Sequence, residues 1–155
     1  TNKTNQGPAI RLNQGVKKAQ GKYLHLFDCD DIIPLNASNY MLNLAIHHQA
    51  ELIYGKYNKT NLSEQELIAK NFTLTQNIDP NSNYIPKGEF SNQALAQTLK
   101  YNHTHINCFV KRELFLQSGG CDERIFIQDE SLALRLSYHA KNIISLHYST
   151  IYAPK

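Results

Sequence analysis

Apolar residues along this chain fall into helical and extended runs that alternate. Thr1 to Gly7 is polar. From Pro8, a residue suited to a first helical turn, Ala9, Leu12, Val16 and Ala19 recur on one helix face until Gly21 supplies a stop. Tyr23-Leu24-His25-Leu26-Phe27 then predicts a strand that runs directly into Asp28-Cys29-Asp30-Asp31. Pro34 opens a second helix over about Leu35 to His48, with Met41, Leu44, Ala45 and His48 on one side, and Glu51-Leu52-Ile53-Tyr54 is a second strand ended by Gly55. Periodicity fades from Lys56 to Pro86. In that stretch Ser63 and Glu66 form a capping box for a helix to about Lys70, and Asn77 to Asn83 reads as turn and loop. Phe90 and Ser91 introduce a helix through Leu99, Ile106 to Val110 a strand, and Arg112 to Ser118 a short helix closed by Gly119-Gly120, one of them left-handed. Asp129 to Ala140 is the clearest helix, with Leu132, Leu136 and Ala140 as its buried stripe, and Ile143 to His147 is a last strand before a polar exit. Strands separated by helical crossovers predict an α/β layer architecture.

The chain has 155 residues, enough for one domain around one core. An apolar fraction of 41% with 19% charged residues excludes a disordered chain. The formal charge of +3 is spread without a basic stripe, which argues against nucleic acid. No apolar run reaches the roughly 20 residues that cross a bilayer, and nothing at the start resembles a signal peptide. Cys29, Cys108 and Cys121 have no zinc spacing, leave one thiol over in any disulfide scheme, and fit a reducing compartment. The expected location is the cytoplasm, with any membrane association left to the rest of a longer protein. Asn-x-Ser/Thr matches in a chain with this much asparagine arise from composition.

Chemistry concentrates at two acidic places. Asp28, Asp30 and Asp31 follow a strand, at the end where open α/β sheets hold ligands. Carboxylates this close repel unless a cation, an amide cluster or a proton intervenes, and oxygen ligands suit magnesium or manganese. In extended backbone Asp28 and Asp30 share one side and Asp31 points away. A solvated turn or a helix cap is the plainer reading, most of all for Asp31. Asp129, at a helix start, is either a cap stabilised by free amides or a proton acceptor framed by Gly119 to Arg124 and Arg135. His147 ends a strand and could complete a metal shell. Cys29 is expected to pack, and the tyrosines to form core or pocket walls.

Together these motifs resemble the family-2 glycosyltransferases of the GT-A fold. The run Asn13-Gln14-Gly15 through Asp28-Cys29-Asp30-Asp31 is similar to the family's Asn-x-Gly helix and Asp-x-Asp strand. Gly119 through Leu136 is similar to the segment carrying the catalytic base, and Leu52 to Gly55 and Val110 to Phe115 to its connecting elements. The resemblance implies a partial GT-A fold, a mixed sheet flanked by helices, with residues 1–155 forming the C-terminal, metal- and acceptor-side part of one catalytic domain. It implies inverting transfer of a sugar from a nucleoside-diphosphate sugar to a hydroxyl of a carbohydrate or lipid-linked acceptor, as in polysaccharide biosynthesis. Asp28 would lie near the ribose and metal, Asp30 would hold Mn2+ or Mg2+ against the diphosphate, Asp129 would be the general base, Arg135 would help fix the helix or the site, and His147 would be a further metal contact.

Departures from the pattern are Gln128 where Glu is common, Leu12 where Arg is frequent, and the absence of Trp, which removes the Gln-x-x-Arg-Trp motif of processive synthases and favours single transfer. The resemblance also implies that a first strand and much of the nucleotide pocket belong before Asn13. The 155 residues alone are then expected to bind donor weakly, to be inactive or weakly active, and to carry an uncovered sheet edge that invites self-association. Two other readings compete: a non-catalytic sugar-binding or interaction domain of the same fold, and a haloacid-dehalogenase-like phosphohydrolase with Asp28 as nucleophile.

Overall fold

The structure, a computed structural model, describes residues 6–63, 65, 66, 74, 85, 88–103, 106–125 and 128–154. Its elements are α1 (Pro8–Lys18), β1 (Tyr23–Leu26), α2 (Ala37–His47), β2 (Leu52–Thr60), β3 (Gly88–Ser91), α3 (Ala94–Tyr101), β4 (Cys108–Lys111), α4 (Arg112–Gln117), α5 (Gln128–His139) and β5 (Ile143–Pro154). The five strands form one sheet in the order β1-β4-β2-β5-β3. β4 runs antiparallel to both β1 and β2, β2 and β5 are parallel, and β3 is antiparallel to β5. The sheet is therefore mixed and flanked by helices, as the sequence pattern and the resemblance led us to expect.

Strand alternation divides the apolar residues between two faces. Leu24, Leu26, Leu52, Tyr54, Cys108 and Val110 turn to the face covered by Ala9 and Val16 of α1, Leu114 and Phe115 of α4, and Leu132, Ala133 and Leu136 of α5. Ile53, Phe109, Ile144 and Leu146 turn to the other, under Ala37, Tyr40, Met41, Leu44 and Ala45 of α2. The parallel pair β2 and β5 is covered on both faces, which is why Leu52-Ile53-Tyr54 and Ile143-Ile144 are continuous apolar runs.

Three expectations fail for a shared reason. β2 continues past Gly55 to Thr60, and β5 continues past His147 to Pro154, pairing Tyr57 with Ile151 and Asn58 with Tyr152. β3, expected as a helix entry, is an edge strand registered against Ile143 to Leu146. Lys56 to Lys59 are exposed, so backbone pairing with a distant partner holds them, and no hydrophobic period announces it. Ser63 and Glu66 do form the capping box, with Ser63 N–H donating to Glu66 Oε2 at 2.7 Å and Glu66 N–H to Ser63 Oγ at 3.3 Å. The helix expected beyond it, and the turn at 77–83, lie outside the described residues. Gly119 and Gly120 both take positive φ, 79° and 66°. Among the described residues no helix is long and apolar enough to cross a membrane.

Candidate active site

The acidic turn hangs from the end of β1. Asp31 N–H donates to the Asp28 carbonyl at 3.1 Å, closing the turn, and Ile32 exchanges two backbone hydrogen bonds with Tyr152 at 2.8 and 2.9 Å. That bridge clips the turn to β5 opposite Asn58. Asp28, Cys29 and Asp30 are exposed and Asp31 half-buried. Cys29 thus does not pack, contrary to expectation, because the chain has already left the strand.

Partial desolvation pushes the Asp28 carboxyl above its ordinary value, and the negative charges of Asp30 and Asp129 push it further. Asp31 is raised in the same way, by desolvation first and then by Asp28 and Asp30, against the backbone hydrogen bond within the turn. The Tyr57 phenol is raised by desolvation and then by Asp31, Asp30 and Asp28. These groups share one negative field, with no cation side chain among the causes of their shifts. Among the described residues no group of three or more His, Cys, Asp or Glu side chains is gathered as a metal cage. Mg2+ sites built on one or two carboxylates and completed by substrate phosphates need no such cage, and the oxygen donors of Asp28 and Asp30 fit that kind of site.

Asp129 stands in the first turn of α5, half-buried, with Glu130 beside it. The loop leading toward it is held by α1. Asn13 Nδ2 donates to the Cys121 carbonyl and to Glu123 Oε1, both at 2.9 Å, and Cys121 N–H donates to Asn13 Oδ1 at 2.9 Å. A methyl group built on Gly120 would lie 2.5 Å from Asn13 Oδ1 and 2.8 Å from Phe115, so glycine is needed there for space as well as for its positive φ. Arg135 Nε donates to the Ser118 carbonyl at 3.2 Å, tying α5 to the same loop. Burial pushes the Cys121 thiol up to about 11, with Arg135 opposing and Asp129 and Glu123 adding to it.

The charges of Asp30 and of Asp129, the latter about a hundred residues further along the chain, therefore both act on Asp28. His147 has other neighbours: its ring lies 5.0 Å from that of Tyr101, and its charge acts on Glu89. Asn13 as a clamp and Tyr57 as a neighbour of the carboxylates were not singled out from sequence. An asparagine inside a helix, where its propensity is poor, was the available signal for the first. Tyr57 lies in a stretch without periodicity and gave none.

This sheet, with an Asp-x-Asp turn at a strand end and a second acidic centre at a following helix, defines a partial GT-A sugar-transferase fold. Residues 1–118 match Glycosyl transferase family 2, and the chain belongs to that family. An uncharacterized glycosyltransferase of Haemophilus influenzae is 34% identical over 76 residues, 49% of this chain and 30% of the relative. The crystal structure of S. aureus TarS superposes with a TM-score of 0.72 at 16% identity, covering 99% of this chain and 42% of that one. Its complex with UDP-GlcNAc gives 0.67 at 15%, over 97% and 39%. At such identities the likeness is one of fold. The chain spans 30% of the Haemophilus relative's length and 42% of the TarS chain's.

Proposed function

We infer that this chain is the metal- and acceptor-side part, over residues 1–155, of a domain that transfers a sugar from a nucleoside-diphosphate sugar to an acceptor hydroxyl with inversion. The observation that supports this reading is that Asp129, in the first turn of α5, lies near enough to the acidic turn for its charge to add to the raising of the Asp28 carboxyl. It joins the acidic turn to a carboxylate suited to proton transfer. Family membership separates the chain from the phosphohydrolases that share an Asp-x-Asp after a strand.

Asp30 and Asp28 are the oxygen donors proposed for Mn2+ or Mg2+ bound with the donor diphosphate. Such an ion, when bound, would offset charge developing on the departing nucleoside diphosphate. Asp129 accepts the proton of the acceptor hydroxyl, whose oxygen then attacks the anomeric carbon from the side opposite the leaving group. That geometry inverts the configuration. His147, beside Tyr101 and Glu89, is left out of the metal set proposed here. The cysteines of the chain are free, which fits a cytoplasmic setting. β1 is an edge of the described sheet and is the proposed route for any self-association.

TarS has been solved with UDP and with UDP-GlcNAc, so uridine-diphosphate sugars are the first donors to test. The full-length protein, screened against several nucleotide sugars with and without manganese, is expected to turn one over only with the ion, giving a product of inverted anomeric configuration by NMR. No hydrolysis or transfer with any donor would refute the enzymatic reading.

A further inference from the structure

The pairs Lys17-Lys18 and Lys111-Arg112 are far apart in the sequence, and the fold brings them together at one end of the sheet. In the strand order β1-β4-β2-β5, Lys22 precedes β1, Lys111 ends β4 opposite Tyr23, Glu51 precedes β2, and Lys141-Asn142 precede β5. The acidic turn lies beyond the other end of β1. Helix α1 delivers Lys17 and Lys18 to the same place in its last turn. Arg112 donates its backbone N–H to the Lys22 carbonyl at 2.8 Å and its Nε to the Val16 carbonyl at 3.3 Å. Glu51 joins the remaining two: one carboxylate oxygen lies 3.4 Å from Lys111 Nζ, and the other accepts the Lys141 N–H at 2.9 Å.

Among the described residues, only Lys111 of these six cations is in an ion pair, with Glu51 and Glu113. Lys17, Lys18, Lys22 and Lys141 are exposed. Cations at a helix C-terminus offset the helix dipole, which accounts for Lys17 and Lys18. It does not account for Arg112, which opens α4, or for Lys22, which precedes a strand. Between Lys22, Lys111 and Lys141 lies an open hollow of about 420 Å³ that Ile46 also lines. Ile46, in the last turn of α2, is 62% exposed, and Tyr138, in the last turn of α5, is 74% exposed. Unpaired cations together with exposed aliphatic and aromatic side chains match an anionic bilayer surface: the cations meet headgroup phosphates, and the apolar chains enter the interface. A nucleic acid would use the charge and leave Ile46 and Tyr138 in water.

We propose that this end of the sheet docks on a membrane carrying anionic phospholipid, with Lys17, Lys18, Lys22, Arg112 and Lys141 against headgroup phosphates and Ile46 and Tyr138 in the interface. So docked, the acidic turn stands at the far end of β1, open to water. The inference needs neither donor nor metal and does not depend on the transferase reading. Its test uses the full-length protein with vesicles of phosphatidylcholine, with and without phosphatidylglycerol. Hydrogen exchange should show protection of residues 17–22 and 138–142 on the anionic vesicles and none on phosphatidylcholine alone. In co-sedimentation, binding to the anionic vesicles should weaken as salt is raised. Each cation near such a surface strengthens partitioning about fivefold, so Lys18→Gln with Lys141→Gln should bind about twentyfold more weakly, with the melting temperature of wild type. Should that double variant fail to fold, Lys22→Gln with Ile46→Ser carries the same comparison. Equal binding by variant and wild type, exchange in the two segments unmoved by anionic vesicles, or binding to a DNA duplex without binding to vesicles would overturn the proposal.

Discussion

Replacing Asn13 by alanine removes the clamp that ties α1 to the loop before α5. Three hydrogen bonds go: two with the backbone of Cys121, both partly buried, and one with the exposed Glu123 carboxylate. Each partly buried bond contributes about 1 kcal/mol net, and the exposed one little, so the loss is about 2 kcal/mol. Alanine is the better helix former by about 0.5 kcal/mol, which lowers the expected destabilisation to about 1.5 kcal/mol. Urea unfolding of the wild type and Asn13→Ala, followed by circular dichroism, measures the difference as a shift in midpoint at constant slope. Asn13→Asp is expected to do no better. It keeps an acceptor for Cys121 N–H but sets a carboxylate against the Cys121 carbonyl and Glu123. A loss below about 0.5 kcal/mol, the range of neutral surface changes, would refute the clamp.

Three further outcomes follow from burial and charge. His25 is held near 4 by burial, so its contribution to stability is present above its ordinary value of 6.5 and is lost as pH falls through about 4; an NMR titration midpoint at 6.5 would contradict this. Asp28, raised in the folded state, opposes folding once ionised. Asp28→Asn should therefore melt higher than wild type at neutral pH, with the gain vanishing as pH falls below the ordinary value of 3.8, and a lower melting temperature at pH 7 would reverse the argument. A methyl group on Gly55 would overlap the fully buried Thr150 side chain on β5, so Gly55→Ala should destabilise by about 3 kcal/mol in urea unfolding, and an unchanged midpoint would show that the strands can part.

Where burial is one-sided, the elements were legible in the sequence. α1 and α5 carry apolar stripes whose buried members include Val16, Leu132 and Leu136, and β1 alternates Leu24 and Leu26 inward. The acidic residues were legible because three carboxylates in four positions are physically costly without a counter-charge. What stayed hidden depends on partners far along the chain. Lys56 to Thr60 become strand only through the second half of β5, and β3 only through its first half. Asn13 reaches Cys121 across 108 positions, a contact that no local pattern encodes. The neighbour of His147 was hidden likewise: Tyr101, from a helix whose end was expected near Leu99, stands against its ring.

The proposed division of labour between Asp30 and Asp129 is open to one paired measurement. Full-length wild type, Asp30→Asn and Asp129→Asn are compared for UDP affinity by calorimetry with manganese present and for sugar transfer from the same donor. Asp129→Asn should bind UDP as tightly as wild type and transfer at least a hundredfold more slowly, the scale of a lost general base, whereas Asp30→Asn should lose manganese-dependent UDP binding itself. Transfer at the wild-type rate by Asp129→Asn would contradict a general-base role for Asp129.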